Sequence, residues 1–170
     1  MAEPQIKMTR TYQKLVKGTN INETTLLATD YLNHYNELVM LLDLIPDMPD
    51  MLDDAKAWEP KTYAEHFMES TFSDKELAIQ AYDNAADEHR LPFDEALAET
   101  DDLIAVAIGN IETVIKTENI DQLRDTVKNA SRDIQEILDR ASAIINGDYG
   151  AKEEAEPVTL DQADIDALFD

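Results

Sequence analysis

Few residues in this chain have the type and spacing to do chemistry. Candidate pairs of an acid and an amide four residues apart are Glu76 with Gln80 and Asp125 with Asn129, and residues so spaced share one face of a helix. The three histidines, His34, His66 and His89, fall in unrelated segments. A carboxylate-bridged di-iron site on helices needs two Glu-x-x-His pairs, and no histidine here has a glutamate three residues before it. Asp30 with His34 and His66 with Glu69 are near pairs, too scattered for a metal cluster. No metal and no cofactor is therefore expected. A phosphotransfer histidine must stand exposed in mid-helix. His34 instead falls on an apolar face, in Tyr31-Leu-Asn-His-Tyr-Asn-Glu37 with no lysine nearby, and reads as a hydrogen-bonded core or interface residue. His66 and His89 read as surface or cap residues. Neither a Gly-rich phosphate loop nor a serine with a supporting base is present. The absence of cysteine removes thiolate sites, cysteine nucleophiles and disulfides together.

The elements that must position these residues are helical. Leu27, Tyr31, His34, Leu38, Leu41 and Ile45 recur at steps of three and four, which predicts an amphipathic helix from an Asn22 cap to Ile45. Pro46 and Pro49 stop it. Short helices are expected at residues 51–58 and 63–68. Ser73 with Glu76 has the form of a capping box, opening a helix to about Glu88. Pro92 suits a first turn, so the next helix is expected from Phe93 to Thr117 with Phe93, Leu97, Ile104, Ala107, Ile111 and Val114 inward. Gly109 within it is read as allowing a close helix approach. Asn119 with Gln122 opens a helix whose seam is Ile120, Leu123, Val127, Ala130, Ile134, Ile137, Ala141 and Ile144, with Gly147 as its stop. Short connections make the last two helices an antiparallel hairpin. Met40, Met48, Met51, Trp58, Tyr63, Phe67, Met68 and Phe72 are read as pinning short helices over one end. No segment alternates with period two.

The fold class that follows is all-α, an antiparallel helical bundle of about four main helices with a flexible C-terminal tail. Its expected parts are a basic N-terminal arm (1–19), the bundle (20–147), a flexible acidic linker (148–158) and an amphipathic docking helix (159–170). No apolar run is long enough for a membrane span, and Met1 to Lys17 lacks the pattern of a secretory signal, so a cytoplasmic protein is expected. Its 37 acidic residues outnumber 14 basic ones, giving a formal charge of −23. Such a field repels phosphate backbones and anionic lipid, so neither nucleic acid nor membrane is an expected partner. Charge is uneven: Lys7, Arg10, Lys14 and Lys17 make the start basic, while residues 151–170 hold seven acids against Lys152.

In that acidic tail Thr159 and Gln162 form another capping box, and Leu160, Ile165, Leu168 and Phe169 follow at helical spacing. A helix this short is marginal in water and needs a surface to pack on. Folding back would bring an acidic face to an acidic body, so a groove on another protein is favoured. The string Leu160-Asp-Gln-Ala-Asp-Ile-Asp-Ala-Leu-Phe169 resembles the N-terminal peptide of flagellar motor switch proteins and, more loosely, the C-terminal peptide of the chemotaxis phosphatase. Both peptides dock as a helix on the phosphorylated chemotaxis response regulator. The resemblance covers ten residues and implies that Leu160, Gln162, Asp164, Ile165, Asp166, Leu168 and Phe169 contact a receiver domain, with Asp161 replacing the usual serine. In the chemotaxis phosphatase an acid and an amide one turn apart act on one helix face, the amide orienting the attacking water. That makes Glu76, Gln80, Asp125 and Asn129 its candidate counterparts, although the surrounding phosphatase signature ending in Thr-Gly-Gln is absent. The expectation is a binding or adaptor protein that docks a receiver-domain response regulator. A divergent phosphatase and a homodimeric helical scaffold without a receiver partner stand as alternatives.

Overall fold

A computed structural model describes residues 7–148. Among them every regular element is a helix: α1 (Thr9–Leu15), a 3-10 turn (Thr29–Leu32), α2 (Asn33–Leu44), α3 (Met51–Ala57), α4 (Tyr63–Glu69), α5 (Lys75–Asp83), α6 (Asp87–Ile115) and α7 (Ile120–Ile145). None is long and apolar enough to cross a membrane. The expected linker beyond Asp148 and the docking helix lie outside the described residues.

The axis of the fold is the α6/α7 hairpin. At 1.5 Å per residue, 29 and 26 residues make helices of about 44 and 39 Å. They run antiparallel because residues 116–119 reverse the chain within one turn, with Glu118 in the left-handed region at φ 60°. Asn119 caps α7, its Oδ1 accepting the Gln122 N–H at 3.0 Å. α7 stops where expected: Gly147 sits at φ 79°, its N–H donates to the Ile144 carbonyl and that of Asp148 to the Ala143 carbonyl. This is a Schellman end, which needs a residue without a Cβ penalty. The α7 seam is Leu123, Val127, Ala130, Ile134, Leu138, Ala141 and Ile144. Leu138 takes the buried place expected for Ile137, and Ile120 is half exposed.

Several expected boundaries are corrected. Residues 22–28 are not helical. The Asn22 side chain accepts N–H groups from Thr24 and Thr25, a local turn that competes with helix, and Leu26 takes φ 64° to enter the core. Ser73 forms no cap, because α5 begins at Lys75 and Glu76 then stands one position too early to reach back. α5 ends at Asp83 rather than Glu88, and α6 begins at Asp87 rather than Phe93. Asp87 and Glu88 in its first turn complement the helix dipole. Pro92 lies inside this helix as its sixth residue, beyond the first-turn N–H groups that have no intrahelical partner. Gly109 makes no close approach: it is exposed, and an added Cβ would meet nothing within 4 Å.

The remaining helices pack around this hairpin. α2 lies on α7 and α3, and α3 on α6. Ser131 to Asp43 at 2.6 Å, Arg124 to Asp47 at 2.6 Å and Lys56 to Glu112 at 2.7 Å edge these contacts. α4 packs on α5 and on the 3-10 turn. It carries a complete capping box that the sequence reading overlooked, Thr62 with Glu65, each side chain accepting the other's backbone N–H. The basic arm belongs to this body as well. Lys7 pairs with Asp87 at 2.6 Å, the Thr9 hydroxyl donates to the Asn84 carbonyl, and Val16 is fully buried.

Candidate functional site

The acid and amide pairs do turn the same way on their helices, but onto different surfaces. Ala78 and Ala81 bury one face of α5, leaving Glu76 and Gln80 outward. The Gln80 Oε1 accepts the Tyr12 hydroxyl of α1 at 3.2 Å. On α7 the buried Leu123, Val127 and Ala130 leave Asp125 and Asn129 exposed. Asn129 lines an open groove of about 250 Å³ between α6 and α7, with Leu103, Val106, Asn110, Thr126 and Asp133. Its Oδ1 accepts from Arg132 at 3.3 Å. The two pairs do not converge on one cleft. Leu160, Gln162, Asp164, Ile165, Asp166, Leu168 and Phe169 lie outside the described residues.

The histidines are built into packing. His34 points inward from α2 and is 5% exposed. Its ring stacks on Trp58 at 4.6 Å, its Nε2 lies 2.8 Å from the Glu59 carbonyl, and Trp58 Nε1 donates to the His34 carbonyl. A carbonyl only accepts, so Nε2 carries the proton. Burial pushes its pKa below the ordinary value and keeps the ring neutral. His66, expected at the surface, meets Asp30 Oδ2 at 2.9 Å and packs edge-on to Tyr31. The ring centroids of His34 and His66 are 6.5 Å apart. Among the described residues no three histidine or carboxylate side chains are grouped to hold a metal ion.

The polar cluster that sequence reasoning missed lies beside them. A shallow cleft of about 330 Å³ is lined by Tyr31, Tyr35, Tyr82, Asp94 and Asp101 among others. The Tyr35 hydroxyl donates to Asp101 at 2.8 Å and the Tyr82 hydroxyl to Asp94 at 2.6 Å. Arg90 lies 4.5 Å over the Tyr82 ring and 3.6 Å from Asp94. Burial pushes the Tyr31 phenol up to about 12, and the Tyr35 and Tyr82 phenols are raised by the same cause. Burial also raises Asp101. At neutral pH these phenols are donors with committed acceptors, so the cleft fastens α2 and α5 to α6 and offers no ready nucleophile. Tyr35 and Asp101 are 66 residues apart, a pairing that no local spacing announces.

A second polar surface was legible as a basic arm. Arg10 and Lys14 lie one turn apart on α1, and Lys17 follows in the turn after the helix end. With Gln13, Glu23 and Thr24 they line an open cleft of about 390 Å³.

No family model, curated protein or solved structure matches this chain.

Proposed function

We propose that this chain is a cytoplasmic binding or adaptor protein of chemotaxis-type, two-component signalling, which captures a receiver-domain response regulator with residues 160–169. The observation that carries this reading is the string Leu160-Asp-Gln-Ala-Asp-Ile-Asp-Ala-Leu-Phe169. Leu160, Ile165, Leu168 and Phe169 supply apolar anchors and Gln162, Asp164 and Asp166 the polar contacts of a helix-in-groove mode. The body's part is to hold the start of the tail. Thr25 Oγ1 donates to the Ile145 carbonyl at 2.6 Å, and the Schellman end at Gly147 fixes the direction in which the chain leaves. A tethered peptide of this kind raises the local concentration of whatever it binds.

The test is titration of the full chain, and separately of a 156–170 peptide, against receiver domains with and without a phosphoryl mimic. Ile165→Ala or Phe169→Ala weakens binding by about 1–3 kcal/mol, as for a buried anchor. Unchanged affinity in both variants removes the proposed groove contact.

One observation favours a second reading, a divergent phosphatase. Asp125 and Asn129 stand exposed one turn apart on α7, with Asn129 on the groove between α6 and α7. Dephosphorylation of a phosphorylated receiver that accelerates with the parent chain and not with Asn129→Ala would select it. A rate unchanged by the protein selects the adaptor.

A further inference from the structure

The chain leaves the described body beside its most basic surface. Arg10 and Lys14 on α1 and Lys17 in the turn that follows it are all exposed and line one cleft. Among the described residues none of the three forms an ion pair, whereas most of the other cations do. With 37 acidic residues against 14 basic ones, three cations left together on one face form a local field of the opposite sign to the rest of the molecule. The only carboxylate lining their cleft is that of Glu23.

A separate set of contacts fixes where the tail begins relative to this face. The Gln13 amide donates to the Thr24 carbonyl at 3.1 Å, and the neighbouring Thr25 hydroxyl to the Ile145 carbonyl at 2.6 Å. Gly147 faces the Thr25 methyl group. The end of α7, the turn at residues 24–25 and α1 are thus tied together, and Asp148 emerges close to the cleft. The next acids are Glu153, Glu154 and Glu156. At no more than about 3.6 Å per residue, Glu153 lies within about 18 Å of Asp148. At this end an acidic tail meets a basic surface, contrary to what the net charge alone suggests.

We propose that Glu153, Glu154 and Glu156 fold back onto Arg10, Lys14 and Lys17, forming an intramolecular clasp that holds the following docking residues against the body. The contact itself is independent of any partner. Its regulatory consequence rests on the proposed docking of residues 160–169: a clasp closed nine-tenths of the time weakens partner binding about tenfold, and a receiver that presents its own basic rim opens it by competition.

The chain has no cysteine, so Ala155→Cys gives a single site for a nitroxide label on the full-length protein. The amide resonances of residues 10–17 are expected to broaden in this chain, independently of protein concentration, and to recover in 0.5 M salt, where screening is strong. Broadening is lost when Glu153, Glu154 and Glu156 are all replaced by lysine. It returns when that variant also carries Arg10→Glu, Lys14→Glu and Lys17→Glu. The tail variant leaves the folded body unaltered, so its result does not depend on whether the α1 variant folds. An unbroadened α1 in the parent, or equal broadening in the tail variant, overturns the clasp. Broadening that grows with concentration assigns the contact to a second copy and overturns it equally. Failure of receiver binding leaves all of these signals unchanged, so the two proposals fall separately.

Discussion

The α6/α7 hairpin and the half of the molecule built from residues 19–83 are held together by different means. In the hairpin, apolar residues at steps of three and four meet across a long seam, from Leu123 to Ile144 on α7 and from Phe93 to Ile111 on α6. The other half uses short helices whose ends are satisfied from far away in sequence. The Ala28 N–H is accepted by the Tyr63 hydroxyl, Thr25 donates to Ile145, and His34 and Trp58 exchange contacts with each other's backbone neighbourhood. Periodic burial gives stiffness without chemistry. Most of the displaced ionisable groups lie in the polar and aromatic half, and Asp101 on α6 is the hydrogen-bond partner of one of them, Tyr35.

Phe93 joins the two halves, and its removal is the hardest test of that division. It is fully buried on α6, with Tyr31 and Tyr63 edge-on at 6.2 and 6.1 Å. Phe93→Ala costs about 3–5 kcal/mol by the loss of burial and the cavity left behind. If the halves depend on each other, urea unfolding of this variant stays a single transition followed by tyrosine fluorescence and by circular dichroism. Two separated transitions would show the hairpin folding alone. Tyr63→Phe sharpens the same comparison with no change of shape. It strands the buried Ala28 N–H, which then lacks an acceptor, at about 1–3 kcal/mol. A loss below a few tenths of a kcal/mol would mean that this half is held by rings alone.

These contacts also explain how much was legible. α7 was read nearly to the residue because its burial repeats with the helix period, as were the stop at Gly147 and the Asn119 cap. Residues 22–28 misled because Leu27 and Tyr31 keep helical spacing while Asn22 turns the chain locally and Tyr63 supplies a distant acceptor. The break between α5 and α6 was misplaced because Ser73 and Pro92 offered local signals that the packing of Ala85 and Phe93 overrode. Of the candidate site, the exposure of Glu76, Gln80, Asp125 and Asn129 follows from the apolar stripes beside them. The hydroxyl pairs of Tyr35 with Asp101 and Tyr82 with Asp94 do not, since they join helices whose relative placement no single segment encodes. The basic arm was visible as composition, and its position beside the end of α7 only in three dimensions.

His34 gives the comparison a pH dependence. Burial lowers its folded pKa from 6.5, so the unfolded chain binds the proton more readily than the folded one. Its contribution to stability is then complete above about pH 6.5 and is lost as the pH falls through that value towards the folded pKa. Urea midpoints measured at pH 7.5 and 5.5 are expected to drop on acidification, and to drop less in His34→Gln. An equal drop in both would place the sensitivity elsewhere.

The smallest effects come from the two glycines of the hairpin, and they have opposite signs. Gly109 sits on an exposed face of α6 with open space where a Cβ would be. A glycine in a helix interior loses more chain entropy on folding than alanine, so Gly109→Ala stabilises the protein by about 0.5–1 kcal/mol. Gly147 has room too, its nearest atom being the Thr25 methyl at 3.9 Å, but its φ of 79° lies in the left-handed region. There Gly147→Ala costs about 1–2 kcal/mol, because the Cβ crowds the following carbonyl. The pair is read by thermal unfolding against the parent chain. Stabilisation by both substitutions would mean that α7 ends without the Schellman turn. Destabilisation by both would mean that the outer face of α6 near Asn110 and Asn129 is covered after all, and that the groove there is occupied.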